Sequence, residues 1–219
     1  ANWSAILPII IGVNMASRLL MVRHACVASA YDGRFVGRTN VPLCDRGQKQ
    51  AQAIAAAAAS WKVSRCFVSP MLRATQTAKP LIDMLNISAQ FDEDLREIDF
   101  GQWEGMTFCQ VQREHSQLVE KWCGNDNSFT FPGGENTASF LERAKRCAKK
   151  LASDNAQTVL AVTHGGIIRA VICCLLGLDH SNHVLFDIRP GSLTTIDLFD
   201  GKGVLSGLND LCHLGTAES

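Results

Sequence analysis

The sequence predicts an α/β protein, a three-layer sandwich around a mainly parallel central sheet, and three observations carry that reading. Short apolar runs of strand length alternate with helix-length amphipathic segments, as strands joined by crossover helices do. The runs lack polar alternation, which fits strands buried on both faces. Near the end, "LTTIDLF" and "GVLSGL" flank "DGKG", a hairpin signal.

In chain order, "LLMV" (19–22) is the first expected strand. Ala51, Ile54, Ala55, Ala58 and Trp61 then recur at helical spacing. "CFVS" (66–69) is a second strand, followed by the stripe Ala74, Ala78, Leu81, Ile82 and Leu85. Phe140, Leu141, Ala144, Cys147, Ala148 and Leu151 form a third helix, and "TVLAVT" (158–163) a further strand. "GGIIRAVICCLLGL" (165–178) is apolar nearly all round, as a helix packed among neighbours would be. Two segments show neither period. "LREIDFGQWEG" (95–105) and the turn-rich "WCGNDNSFTFPGGEN" (122–136) read as loops, which in α/β domains often cover sites.

Polar residues collect where the strands end. "LLMV" runs into Arg23 and His24, "CFVS" into a helix opening with Arg73, and "TVLAVT" into His164, Gly165 and Gly166. Ligands of open parallel sheets bind at the carboxyl ends of the strands, and helix N-termini there favour anions. The two glycines would let backbone approach a bound group closely. Two arginines and two histidines form a local basic pocket suited to a phosphoryl group, whose oxygens match the arginine fork. A structural carboxylate would satisfy the arginines but would not require two histidines.

The chain resembles the histidine phosphatase superfamily, the phosphoglycerate mutase-like fold. "VRHA", "SPMLRATQTA", "LREIDFGQWEG", "FPGGEN" and "VTHGG" occur in that family's order, from about Leu19 to His164 and on toward the hairpin. The resemblance implies His24 as a nucleophile that forms a phosphohistidine. It implies Arg23, Arg73 and a protonated His164 as the clamp on the phosphoryl oxygens. Glu97 would be the general acid, then the base that activates water, with Glu104 and Asp99 as fallback candidates. Of these two, Glu104 is expected to anchor its loop. Gly37 and Arg38 fall where the family contacts substrate, and Gly165, beside the clamp, is a further expected substrate contact. No metal and no other cofactor is implied. The chain departs from the family at Ala25, where glycine is usual, and at Cys26 and Ala30. Its acid loop and the short cover of about 25 residues before "FPGGEN" look like the α-ribazole phosphatase branch. Broad-specificity sugar or nucleotide phosphatases, phosphoglycerate mutase, and a silent phosphate-binding module are the alternatives.

The expected domain spans 15–219. Residues 1–14, with the Pro-interrupted "AILPIIIGV", read as an extension ahead of a start at Met15 or as a weak signal peptide. Lys+Arg and Asp+Glu both number 21, so nothing draws the whole chain to nucleic acid or a membrane. The expected partner is a small-molecule phosphate monoester, with a homodimer as the assembly considered. Nine cysteines without a Cys-x-x-Cys pair suggest a reduced, cytoplasmic setting, and Cys173 and Cys174 read as core hydrophobes. Trp103, Trp122, Phe129 and Phe131 are expected to pin the irregular segments, or jointly to stack on a flat aromatic group.

Overall fold

The computed structural model describes residues 17–124, 128–199 and 202–215. The segment 1–14 lies outside them. Six strands form one sheet in the order β3-β2-β4-β1-β5-β6. They are β1 (Ser17–Arg23), β2 (Arg65–Val68), β3 (Ala89–Phe91), β4 (Thr158–Thr163), β5 (Leu193–Phe199) and β6 (Lys202–Asp210). The first four run parallel, while β5 pairs antiparallel with β1, and β6 with β5.

Period-two alternation divides the strand side chains between two cores. Leu19, Met21, Val159 and Ala161 face one, with α5 (Thr137–Ala152) and α6 (Gly165–Leu176) above them. Leu20, Val22, Leu160 and Val162 face the other, covered by α1 (Asp45–Ala58) and α2 (Leu72–Leu85). This is the expected three-layer arrangement, and it explains why the central strands lack polar alternation.

The helix signals in sequence correspond to capped helices. Asn136 accepts from the backbone N–H groups of Ala138 and Ser139 at the start of α5. Gly177 ends α6 in the left-handed region, φ +66°. Two helices lie where no period was visible: α3 (Phe108–Glu114), opened by a Thr107–Gln110 capping box, and α4 (Ser116–Cys123). They carry Trp122 over the acid loop. That loop, 95–105, is irregular apart from single 3-10 turns at its ends. Among the described residues no helix is long and apolar enough to cross a membrane.

The order β2-β4-β1 brings three strand ends side by side. Val162 of β4 is level with Val22 of β1 and Val68 of β2. Beyond the paired residues, the His24 N–H donates to the Thr163 carbonyl (2.8 Å) and the Ser69 N–H to Val162 (3.0 Å). His24, Ser69 and His164 therefore leave the sheet at one level.

Candidate active site

His24 is 7% exposed and its ring centroid stands 5.1 Å from that of His164, at 60°. Its Nδ1–H donates to the Ala25 carbonyl (2.9 Å), which leaves the Nε2 lone pair unprotonated, and Arg73 Nε–H donates to that atom (3.2 Å). Burial, then Arg23 and Arg73, hold the His24 pKa well below 6.5. The ring is neutral at pH 7, the form a nucleophile requires. The family's glycine after this histidine is not needed here, because Ala25 is absent from the positive-φ residues.

Arg73 is wholly buried, and its donors other than Nε grip the carbonyls of Thr39 (3.0 Å), Val36 (3.3 Å) and Gly37 (2.8 Å). Burial lowers its pKa to about 10, so it stays charged at neutral pH. Arg23 donates through Nη1 to the Ile188 carbonyl, while its Nε is buried without a partner.

His164 caps the end of β4 and is fully buried. Its Nε2 lies 2.7 Å from Ser69 Oγ. The Met71 N–H donates to that same oxygen (3.4 Å), and the acceptor in reach of the Ser69 hydroxyl hydrogen is Nε2, which assigns that hydrogen to it. The remaining ring hydrogen is then on Nδ1, a second buried donor without a partner. The surroundings of His164 work against the protonated ring that the resemblance implies. Burial, Arg73, His24 and Arg23 push its pKa well below 6.5, so the ring serves as a neutral donor.

Glu97 is 9% exposed, and its carboxylate accepts from the backbone N–H of Ile98 (3.1 Å) and of Gly166 (2.9 Å). A Cβ on Gly166 would sit 2.3 Å from Glu97 Oε1, whereas one on Gly165 would meet the Arg23 guanidinium at 3.5 Å. Gly166 therefore makes room for the site's own acid, whereas a Cβ at Gly165 would meet the guanidinium at ordinary contact distance. Sequence reasoning had assigned that room to the ligand.

His24, Arg23 and Glu97 line a cavity of about 720 Å³, together with Tyr31, Asp32, Arg34, Arg46 and Arg169 among others. Arg73 and His164 do not line it; they stand against the His24 ring, the first through Nε and the second with ring centroids 5.1 Å apart, and Gly165 opens α6 next to His164. Gly37 and Arg38, expected as substrate contacts, do not line the cavity either. Both donate backbone N–H groups to Glu104, as Thr39 and Phe100 also do. Glu104 is thus a loop anchor, and Asp99 caps the Gly101 N–H (2.9 Å) within the same turn.

Sequence reasoning missed two supports of the acid loop. Arg143 donates to the carbonyls of Asp94, Arg96 and Glu97 and pairs with Glu135 (2.8 Å). Thr163 Oγ1 donates to the Leu95 carbonyl (2.6 Å). The aromatic residues are spent on one another. Trp103 is fully buried, with Trp122, Phe129 and Phe131 within 6 Å, centroid to centroid. This supports the pinning role and leaves Trp103 and Phe129 unavailable for stacking on a ligand. Among the described residues no group of three or more His, Cys, Asp and Glu side chains is placed to hold a metal ion.

Comparison with known proteins agrees with this geometry. The sequence profile of the histidine phosphatase superfamily (branch 1) matches residues 19–211. Phosphoserine phosphatase 1 of Hydrogenobacter thermophilus is 31% identical over 199 residues, covering 90% of this chain and 94% of its own length. The adenosylcobalamin/alpha-ribazole phosphatase of Escherichia coli is 27% identical over 194 residues, covering 88% and 95%. The crystal structure of the alpha-ribazole phosphatase from Shigella flexneri superposes with a TM-score of 0.80 at 25% identity, covering 88% of this chain and 96% of that one. With its profile matched across nearly the whole chain and its strand ends gathered in this way, the protein belongs to the histidine phosphatase superfamily.

Proposed function

We propose that this chain is a phosphomonoesterase working through a phosphohistidine on His24. One observation carries the reading: two buried donors without partners, Arg23 Nε and His164 Nδ1, flank a neutral histidine whose Nε2 is unprotonated and accepts from Arg73 Nε–H. Buried polar atoms are almost always paired, so such orphans mark a place for an acceptor. A phosphoryl oxygen is the acceptor that suits a guanidinium and an imidazole N–H together, and phosphorus bonded to Nε2 would release the Arg73 Nε–H from that nitrogen to a phosphoryl oxygen.

In the first half-reaction Nε2 attacks phosphorus along the line of the leaving oxygen. The P–O bond breaks, and Glu97, in its protonated form, gives the alkoxide a proton. In the second, Glu97 takes a proton from water, whose oxygen attacks the phosphohistidine and frees Nε2. Arg23, Arg73 and His164 stabilise the equatorial oxygens in both steps. Removing one such donor costs roughly 10²–10³ in rate in comparable sites.

α-Ribazole 5′-phosphate is the proposed substrate, supported by the sequence of the acid loop and by the relatives of that activity. Phosphoserine is a second reading, favoured by the phosphoserine phosphatase relative and by Arg34, Arg46 and Arg169 in the cavity wall, which suit a carboxylate. Hydrolysis of p-nitrophenyl phosphate, α-ribazole 5′-phosphate, phosphoserine and 3-phosphoglycerate by the wild type and His24→Ala tests the proposal. Equal rates for the two proteins on every substrate would overturn it.

A further inference from the structure

Two cysteines in the cavity wall have no part in this chemistry. Cys26 lies two residues beyond the nucleophile and Cys44 is the N-cap of α1; both are half-buried and both line the cavity. Val27 and Leu43 form an antiparallel bridge, so Cys26 and Cys44 are the next opposed pair. The Cys44 N–H donates to the Cys26 carbonyl (3.2 Å), and the Cys44 thiol also donates to it (3.6 Å). One backbone bond joins the two residues, the Cys26 N–H going to Gln50; opposed antiparallel residues have Cα atoms about 4.5–5.5 Å apart, inside the range a disulfide spans. Their Cβ atoms, roughly 4.5–5.5 Å apart, must close by about 1 Å to reach the usual disulfide separation. Gly47 holds α1 tight against this position, for a Cβ there would meet the Cys26 carbonyl oxygen at 2.0 Å.

We propose that Cys26 and Cys44 form a reversible dithiol–disulfide pair in the wall of the substrate cavity, closed by hydrogen peroxide and reopened by a dithiol reductant. The Cys44 thiolate attacks one peroxide oxygen and the O–O bond breaks, giving a sulfenic acid and, after protonation, water. The Cys26 sulfur then attacks the sulfenic sulfur, the S–O bond breaks, and the departing hydroxide leaves as water with the Cys26 proton. Two thiols and one peroxide become one disulfide and two waters. Burial pushes the Cys26 thiol up, so Cys26 is the poorer first nucleophile and the attack on peroxide falls to Cys44. A bridge that must draw its ends together is more easily reduced than a relaxed one, as a reversible device requires.

Closure acts on turnover through the backbone. Cys26 follows Ala25, whose carbonyl orients the His24 ring, and its own N–H is held by Gln50 (2.9 Å). Drawing Cys26 toward Cys44 displaces that carbonyl. This effect rests on the phosphatase reading above; the cross-link does not.

The full chain is treated with hydrogen peroxide, alkylated without reduction, digested and mapped by mass. The expected result is a Cys26–Cys44 cross-linked peptide, lighter by two hydrogens than the two reduced peptides. Activity on p-nitrophenyl phosphate is expected to fall about tenfold and to return with dithiothreitol, since misplacement by about 1 Å can cost up to 10². The Cys26→Ser/Cys44→Ser double variant, measured against its own untreated activity, should lose less than about twofold, a few tenths of a kcal/mol. Oxidation of the exposed Cys109, Cys123 or Cys212 without the cross-link would overturn the pair. An equal loss in the double variant, or a cross-link that leaves wild-type activity unchanged, would overturn its effect on turnover. A wild type inactive before treatment would count against the phosphatase reading, and the peptide map would still decide the pair.

Discussion

Gly166→Ala tests whether the second glycine of the His164 motif exists to seat the catalytic acid. The added Cβ would lie 2.3 Å from Glu97 Oε1 and 3.0 Å from its carboxyl carbon. Ordinary contact begins near 3.4 Å, so the carboxylate must retreat by about 1.1 Å, the difference of the two distances. The obstacle is the end of a flexible side chain, so the fold survives. Alanine inside a helix also gains about 1 kcal/mol over glycine, which offsets part of the displacement. The acid, however, loses its place, and misplacement on this scale costs about 10² in rate. The loss should appear in kcat/KM for an alkyl phosphate, whose alkoxide needs a proton to leave. With p-nitrophenyl phosphate, a good leaving group, it should stay below about tenfold. A folded variant with unchanged alkyl-phosphate kcat/KM, or with equal losses on both substrates, would refute the reasoning.

Three further outcomes follow from the same geometry. Ser69→Ala frees the His164 tautomer and strands a buried ring nitrogen, so kcat/KM should fall about tenfold and stability by about 1–3 kcal/mol in urea unfolding; an unchanged kcat/KM would contradict the assigned tautomer. Arg143→Met leaves Glu135 buried without its partner and three acid-loop carbonyls without a donor, and should cost about 3–5 kcal/mol by the same measurement. His24 and His164 have folded pKa values well below 6.5, whereas the unfolded chain protonates near that value. The unfolded state therefore binds more protons in that window, and stability must fall as pH drops below about 6.5. The two rings together contribute a slope of about 2.7 kcal/mol per pH unit. Urea unfolding at several pH values should show about half that contribution in His24→Asn, and an unaltered slope would contradict the neutral buried ring.

The strands and residues at the heart of the site were legible because buried parallel strands read as plain apolar runs. Where "LLMV" and "TVLAVT" stop, Arg23, His24 and His164 stand out against them. The hairpin of β5 and β6 and the long helices showed clear periods or turn residues. By contrast α3 and α4 bury one residue each, Val111 and Val119, too little to display a helical stripe. Strand β3 has three residues, none fully buried, and carries no pattern at all. Ser69 reaches His164 across 95 positions and Arg143 reaches the acid loop across nearly 50, contacts that only the assembled sheet creates. Complete burial of His164, which the sequence does not display, works against the charge the resemblance implies for it. Gly37 and Arg38 fall where the resemblance expects substrate contacts, and what the sequence does not display is that their N–H groups turn to Glu104.

The account's central claim is a covalent bond between His24 Nε2 and phosphorus. Rapid acid-free quenching with a ³²P-labelled phosphate monoester, followed by peptide mapping, tests it most directly. The structure predicts acid-labile, base-stable label on the peptide carrying residue 24, and none in His24→Ala. Steady turnover with no label at that position, or label unchanged in the variant, would contradict it.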